Sequence, residues 1–229
     1  MIKCFKLRNI LIPIAIFIFC CLISLGIVAV NELTDSPFRP YTIVLDAGHG
    51  GRDNGCIGIN GTKESDINLQ ITKIMASMLQ DFGFRVILTR TNENGLYDNN
   101  ATNYKVSDMK KRINIITKAR PDFVISIHQN SFKNIHQQGA QAFWQDNNKE
   151  GEMLANSIQE SLVSQLPNAR KEANYGDYYI LKESPASAVI VECGYLSNPE
   201  EELLLTTQTY QEKISYAIVC GIVKYFDVQ

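Results

Sequence analysis

The chain has 229 residues, with 22 Lys and Arg against 24 Asp and Glu and a formal net charge of −2. That length suits one domain with an appendage, and the near-neutral balance lacks the basic footprint of a nucleic-acid binder. The six cysteines have no Cys-x-x-Cys spacing and make no disulfide framework.

The N-terminus reads separately from the rest. Lys3, Lys6 and Arg8 precede an apolar run from Ile10 to Val30, broken only by Pro13, Ser24 and Gly26. The run is long enough to cross a hydrocarbon core of roughly 30 Å. Its end, Val28-Ala29-Val30-Asn31, makes a poor cleavage site, so an uncleaved anchor is expected rather than a removed signal. Positive charge before the run, with Glu32 and Asp35 after it, places the remainder outside the cytoplasm. Cys4, Cys20 and Cys21 lie in or beside this segment, whereas Cys56, Cys193 and Cys220 are scattered and read as small buried residues. Residues 1–30 are thus read as anchor or signal, 31–40 as a polar linker with two prolines, and 41–229 as the folded domain.

Strands and helices then alternate. Residues 42–46 (TIVLD) read as a strand. Ile67, Ile71, Ile74, Met75, Met78 and Leu79 share one helical face over 66–82, with Ser65 as the expected cap and Gly83 as the stop. A strand at 84–89 follows, then a helix at 106–119 carrying Met109, Ile113 and Ile116 and ended by Pro121. Residues 122–128 (DFVISIH) and 139–144 read as strands. A helix over 150–165 presents Met153, Leu154, Ile158, Leu162 and Leu166. Residues 178–182 (YYILK) and 188–192 (AVIVE) read as strands. The last helix, about 207–226, presents Ile214, Ala217, Ile218, Gly221, Ile222 and Tyr225. Near-continuous apolar strands alternating with amphipathic helices predict an α/β domain, its mainly parallel sheet covered by helices on both faces.

Ligands of such sheets bind at the carboxyl ends of the strands. His49 follows the first strand, in "LDAGHGG". His128 closes FVISIH, and Glu192 closes AVIVE. Glu64 stands before the first helix, where its loop can return toward His49. Two histidines and a carboxylate form a common ligand set for catalytic zinc, which leaves a second carboxylate to carry protons. A glutamate ending a buried apolar strand is unusual, because an unpaired buried charge is costly. The glycines beside His49 allow a sharp turn and close approach. The spacing matches no standard zincin motif, so these residues alone point to a metallohydrolase.

The segments "IVLDAGHGGRDNG", "KESDINLQITKIMASMLQDFGFRVILTR", "FVISIHQNS" and "VIVECGYLSNPEEELLL" resemble the ordered blocks of the zinc-dependent N-acetylmuramoyl-L-alanine amidases, the amidase-3 family, over about residues 42–225. The resemblance implies that His49, Glu64 and His128 bind Zn2+ and that Glu192 is the catalytic glutamate. It implies a peptidoglycan substrate, cut between the lactyl group of muramic acid and L-alanine. With no wall-binding repeat and no long insertion, and with "GDYYILKESPASAVIVECGYLSNPEEE", the chain resembles the germination-specific type, which acts on spore cortex in forming muramic-δ-lactam. That type implies a site in the intermembrane space of the developing spore. Cys193 and Gln129 depart from the common pattern without touching a proposed ligand.

Other candidates are less sharply marked. Asn130 either touches substrate or holds its loop. Arg90 and Arg112 offer bidentate contacts to peptide carboxylates, with surface ion pairs as the alternative. His136 sits in a polar loop, and Trp144, Tyr178 and Tyr179 read as core or rim. Two competing functions remain at this level: an inactive wall-binding regulator of the same fold, and a metallocarboxypeptidase that cuts within the stem peptide. Without built-in targeting, an accessory regulatory protein is expected.

Overall fold

The computed structural model describes residues 40–227. The apolar run at 10–30 and the linker up to Arg39 lie outside the described residues. No described helix is long and apolar enough to cross a membrane. The element order is β1 (Thr42–Ala47), α1 (Glu64–Asp81), β2 (Arg85–Leu88), α2 (Tyr104–Ala119), β3 (Phe123–Asn130), β4 (Gln141–Trp144), α3 (Lys149–Gln165), β5 (Asn174–Tyr175), α4 (Tyr179–Glu183), β6 (Ser187–Tyr195), α5 (Pro199–Leu205) and α6 (Gln208–Asp227).

The six strands form one sheet in the order β2-β1-β3-β6-β4-β5. It is mixed: β4 runs antiparallel to β6, while the other neighbouring pairs are parallel. Alternation along the strands divides the core between two faces. Ile43, Leu45, Ile125, Ile127, Val189 and Val191 pack under α1, α3 and α6. Val44, Val124, Ala188 and Ile190 face the other way, against Ile116 of α2 and Ile180 and Leu181 of α4.

Several boundaries differ from expectation for local reasons. Residues 178–182 are not a strand: Tyr179–Glu183 is a single helical turn or so. Its adjacent Ile180 and Leu181 are both buried, which an alternating strand would not allow, and a run this short does not fix a period. Ser65 is no cap; α1 starts one residue earlier, at Glu64, with Lys63 at the cap position and no side-chain bond there. Glu64 is therefore a helical residue, not part of a loop. Met153 faces solvent, one step round α3 from the buried Leu154. Helix α5 was readable but unread: Asn198 accepts from the Glu200 and Glu201 amides, Pro199 opens the helix and three glutamates fill its first turn, a full set of start signals.

What positions the functional end of the sheet is a buried ionic cluster at the tip of β1. Asp46 and Arg112 are each about 1% exposed, and Arg112 Nη1 lies 2.6 Å from Asp46 Oδ1. Thr89 and Ser126 hydroxyls donate to the two Asp46 oxygens, and Arg112 Nε donates to Asp108. The remaining Arg112 donors bond the main chain just beyond β1, Nη1 to the Ala47 carbonyl at 2.7 Å and Nη2 to that of His49 at 2.6 Å. Arg90 adds three more bonds, to the carbonyls of Ala47, Gly48 and Ser65. Burial alone would raise the Asp46 pKa, but the Arg112 charge and the hydroxyl donors prevail and hold it at about 2.

Removing one member of a buried pair leaves the other charge uncompensated. Asp46→Asn should therefore destabilise the fold by about 3–5 kcal/mol, measured by chemical denaturation near neutral pH. The depressed pKa makes this contribution present above the unfolded carboxylate pKa, near 3.8, and lost as pH falls through about 2. The wild type should thus lose more stability than the variant across that window; equal acid sensitivity would count against the assignment.

Candidate active site

His49 leaves β1 into a tight turn with φ 62, a left-handed backbone that residues other than glycine rarely adopt. The Arg112 bond to its carbonyl secures it there. His128 comes from the end of β3 and is paired in register with Glu192 of β6, so parallel strands bring the two together. Glu64 reaches the same point from the first turn of α1.

The three meet closely. His128 Nδ1 lies 2.9 Å and His49 Nε2 3.2 Å from Glu64 Oε1. The rings stand nearly perpendicular, with centroids 5.0 Å apart. One ligand atom from each of His49, Glu64 and His128 falls within 4.8 Å of the others. Two imidazoles and a carboxylate converging in this way suit a divalent metal ion, so these three residues can hold one. Gly48 makes room: a Cβ there would come within 2.3 Å of the His128 ring.

Around the trio lies a supporting shell that the sequence reading missed. Asp53 Oδ2 sits 2.9 Å from His49 Nδ1, the familiar arrangement in which a carboxylate fixes the tautomer and orientation of a ligating histidine. Its only sequence signal is its place four residues after His49 in "HGGRD". Glu64 is bonded by the amides of Cys56 and Gln129 and by Asn68, which also grips the Gly48 carbonyl. Burial alone would raise the Glu64 pKa, but the two histidines drive it far below the usual carboxylate range. For His49, burial pulls downward while Glu64 and Asp53 outweigh it, giving about 9.

Glu192 has the opposite environment. It is 7% exposed, and its Oε2 has no hydrogen-bond partner. Burial raises its pKa to about 7, with the nearby Glu64 adding to the rise and the two histidines opposing it. A cleft of about 240 Å³ opens beside His49 and His128 and is walled by α2 and α4.

The remaining candidates fall outside this centre or beneath it. Arg90 and Arg112 are buried, so neither makes the surface ion pairs offered as an alternative, and their donors are largely committed to carbonyls and carboxylates. The Asn130 side chain accepts from the Ser131 amide, which supports its loop. His136 is exposed. Tyr178 and Tyr179 line the cleft, while Trp144 packs against the core. Among the described residues Cys56, Cys193 and Cys220 are free thiols.

Comparison with known proteins gives the family. Residues 43–224 match the family model for N-acetylmuramoyl-L-alanine amidase. The chain is 33% identical over 194 residues to the germination-specific N-acetylmuramoyl-L-alanine amidase of Bacillus subtilis, covering 83% of this chain and 81% of that one. Its fold is similar to that of the CwlD amidase from Clostridioides difficile, solved in complex with the GerS lipoprotein, at TM-score 0.79 and 37% identity over 82% of this chain and 100% of that one. It is also similar to an N-acetylmuramoyl-L-alanine amidase from Clostridium difficile 630, at TM-score 0.74 and 29% identity over 84% of this chain and 100% of that one. A histidine–glutamate–histidine centre at the strand ends and a match spanning almost the whole described domain lead to one conclusion: the chain belongs to the N-acetylmuramoyl-L-alanine amidase family.

Proposed function

We propose that this amidase is zinc-dependent, that His49, Glu64 and His128 hold the ion, and that Glu192 carries the proton. The observation behind the division of labour is Glu192 Oε2, a buried carboxylate oxygen with no partner on the residue in register with His128. Zinc, when bound, polarises a carbonyl and acidifies water. Glu192, with its pKa at about 7, takes the proton of the attacking water near neutral pH and delivers it to the departing L-alanine nitrogen. Glu64, held ionised, stays a ligand throughout. Asp53 keeps His49 Nδ1 occupied, so that Nε2 remains turned toward Glu64. Arg90 and Arg112 act from below by fixing the main chain of residues 47–49.

The relatives support a reading of the setting. One is named germination-specific, and another was solved with a lipoprotein. Both support a role in spore cortex modification, with muramic-δ-lactam formation, under the control of an accessory protein. The 10–30 segment serves as membrane anchor, and the domain acts outside the cytoplasm, in the intermembrane space of the developing spore. Mass spectrometry of muropeptides treated with the zinc-loaded protein tests the reaction: intact stem peptides beginning with L-alanine are expected. Shortened peptides would point to a carboxypeptidase, and no change to an inactive binding module.

The two glutamates should separate cleanly. Glu64→Gln should lose metal affinity and activity together. Glu192→Gln should keep its zinc and its fold while losing about 10²- to 10⁴-fold in turnover. Measuring zinc content beside product formation checks both, and a Glu192→Gln protein purified without metal would reverse the roles. Asp53→Asn should bind zinc about 10- to 100-fold more weakly, read by competition with a chelator; unchanged affinity would make Asp53 a bystander.

A further inference from the structure

The cleft beside the metal-ligand trio holds a charge that the hydrolytic step does not use. Two cations line it, Arg112 and Lys105. Arg112 is buried and its donors are taken. The Lys105 side chain is 60% exposed, and its ion pair is a loose one, 3.4 Å from Asp53 Oδ1, longer than the 2.7–2.9 Å typical of a firm charge-assisted bond. Lys105 also lies in the first turn of α2, where the helix dipole disfavours a cation, and that turn carries no acidic residue. Helix stability therefore does not account for it.

We infer that Lys105 recognises a carboxylate of the stem peptide, that of the residue following L-alanine. This inference rests on the amidase reading above. The glycan side of the scissile bond is neutral: hydroxyls, acetamido groups and a lactyl acyl group. Carboxylates lie on the peptide side, and the residue after L-alanine is joined onward through its side chain, which leaves its α-carboxyl group free. An extended residue spans about 3.3–3.6 Å, so this carboxylate stands about 7 Å from the scissile nitrogen. Lys105 adjoins the same centre through Asp53, which lies 3.4 Å from the Lys105 ammonium and 2.9 Å from His49 Nδ1. A substrate carboxylate can draw the Lys105 ammonium from its loose contact, while Asp53 keeps its bond to His49 through the other oxygen. Tyr104, Met109 and Tyr179 supply the flanking walls.

The test compares two muropeptides that differ only at that position, one with the free carboxylate and one with it amidated, on zinc-loaded full-length protein. The wild type should show a KM lower by about two- to fivefold for the free acid, the scale of one partly exposed ion pair. Lys105→Gln should abolish the difference by raising KM for the acid alone, with kcat and zinc content kept, and Lys105→Arg should restore much of the preference. Equal KM values in the wild type would overturn the inference. So would a Lys105→Gln protein that loses the same factor on both substrates, because Lys105 would then act only through Asp53. A wild type that releases only shortened stem peptides from both substrates would overturn the amidase reading itself, and this inference with it.

Discussion

The geometry of the His49–Glu64–His128 cluster depends on a few main-chain carbonyls. Residues 47–49 leave the sheet in a conformation that needs outside support, and Arg90 and Arg112 supply it from below with bonds to the carbonyls of Ala47, Gly48 and His49. A buried guanidinium is tolerable only when its charge is answered, and Asp46 and Asp108 answer Arg112. The chain of dependence runs from a carboxylate inside the core to an arginine, from the arginine to a turn, and from the turn to the direction of one imidazole. Lysine, with a single point of charge, could not grip two carbonyls and two carboxylates from one fixed plane.

Glu64 and Glu192 show how one side-chain chemistry is divided by surroundings. Both are buried. Glu64 is met by two amides, an asparagine and two imidazoles, and every one of these favours its anion. Glu192 Oε2 has no hydrogen-bond partner, so desolvation outweighs the nearby histidines and raises its pKa to about 7. The same separation of pKa values is the general means by which one site supplies both a fixed anion and a mobile proton.

Much of this was legible in the sequence because the relevant signals are local. His49 follows β1, and His128 and Glu192 lie near the carboxyl ends of β3 and β6, where sheets of this class bind ligands. The core faces of α1 and α6 followed from helical periodicity, and the resemblance of four ordered blocks carried the family. What stayed hidden depends on distant partners. The local Asp108 partner of Arg112 looks like an ordinary helix-surface pair, and the acceptors that draw the guanidinium inward include a carboxylate 66 positions away. Asp53 reads as a loop residue until the turn folds it back on His49. The helical state of 179–183 was hidden because five residues are too few to fix a period, and the antiparallel entry of β4 leaves no mark on a four-residue strand.

The left-handed backbone at His49 has a consequence of its own. Glycine is the residue that such a conformation suits best, and the positions on either side are already glycine. An imidazole kept at φ 62 is held against the preference of its own peptide unit, at a cost on the order of 1–3 kcal/mol. The cost is offset where Arg112 binds the residue 49 carbonyl, so the direction of the ring toward Glu64 is held by distant main-chain bonds rather than by local preference.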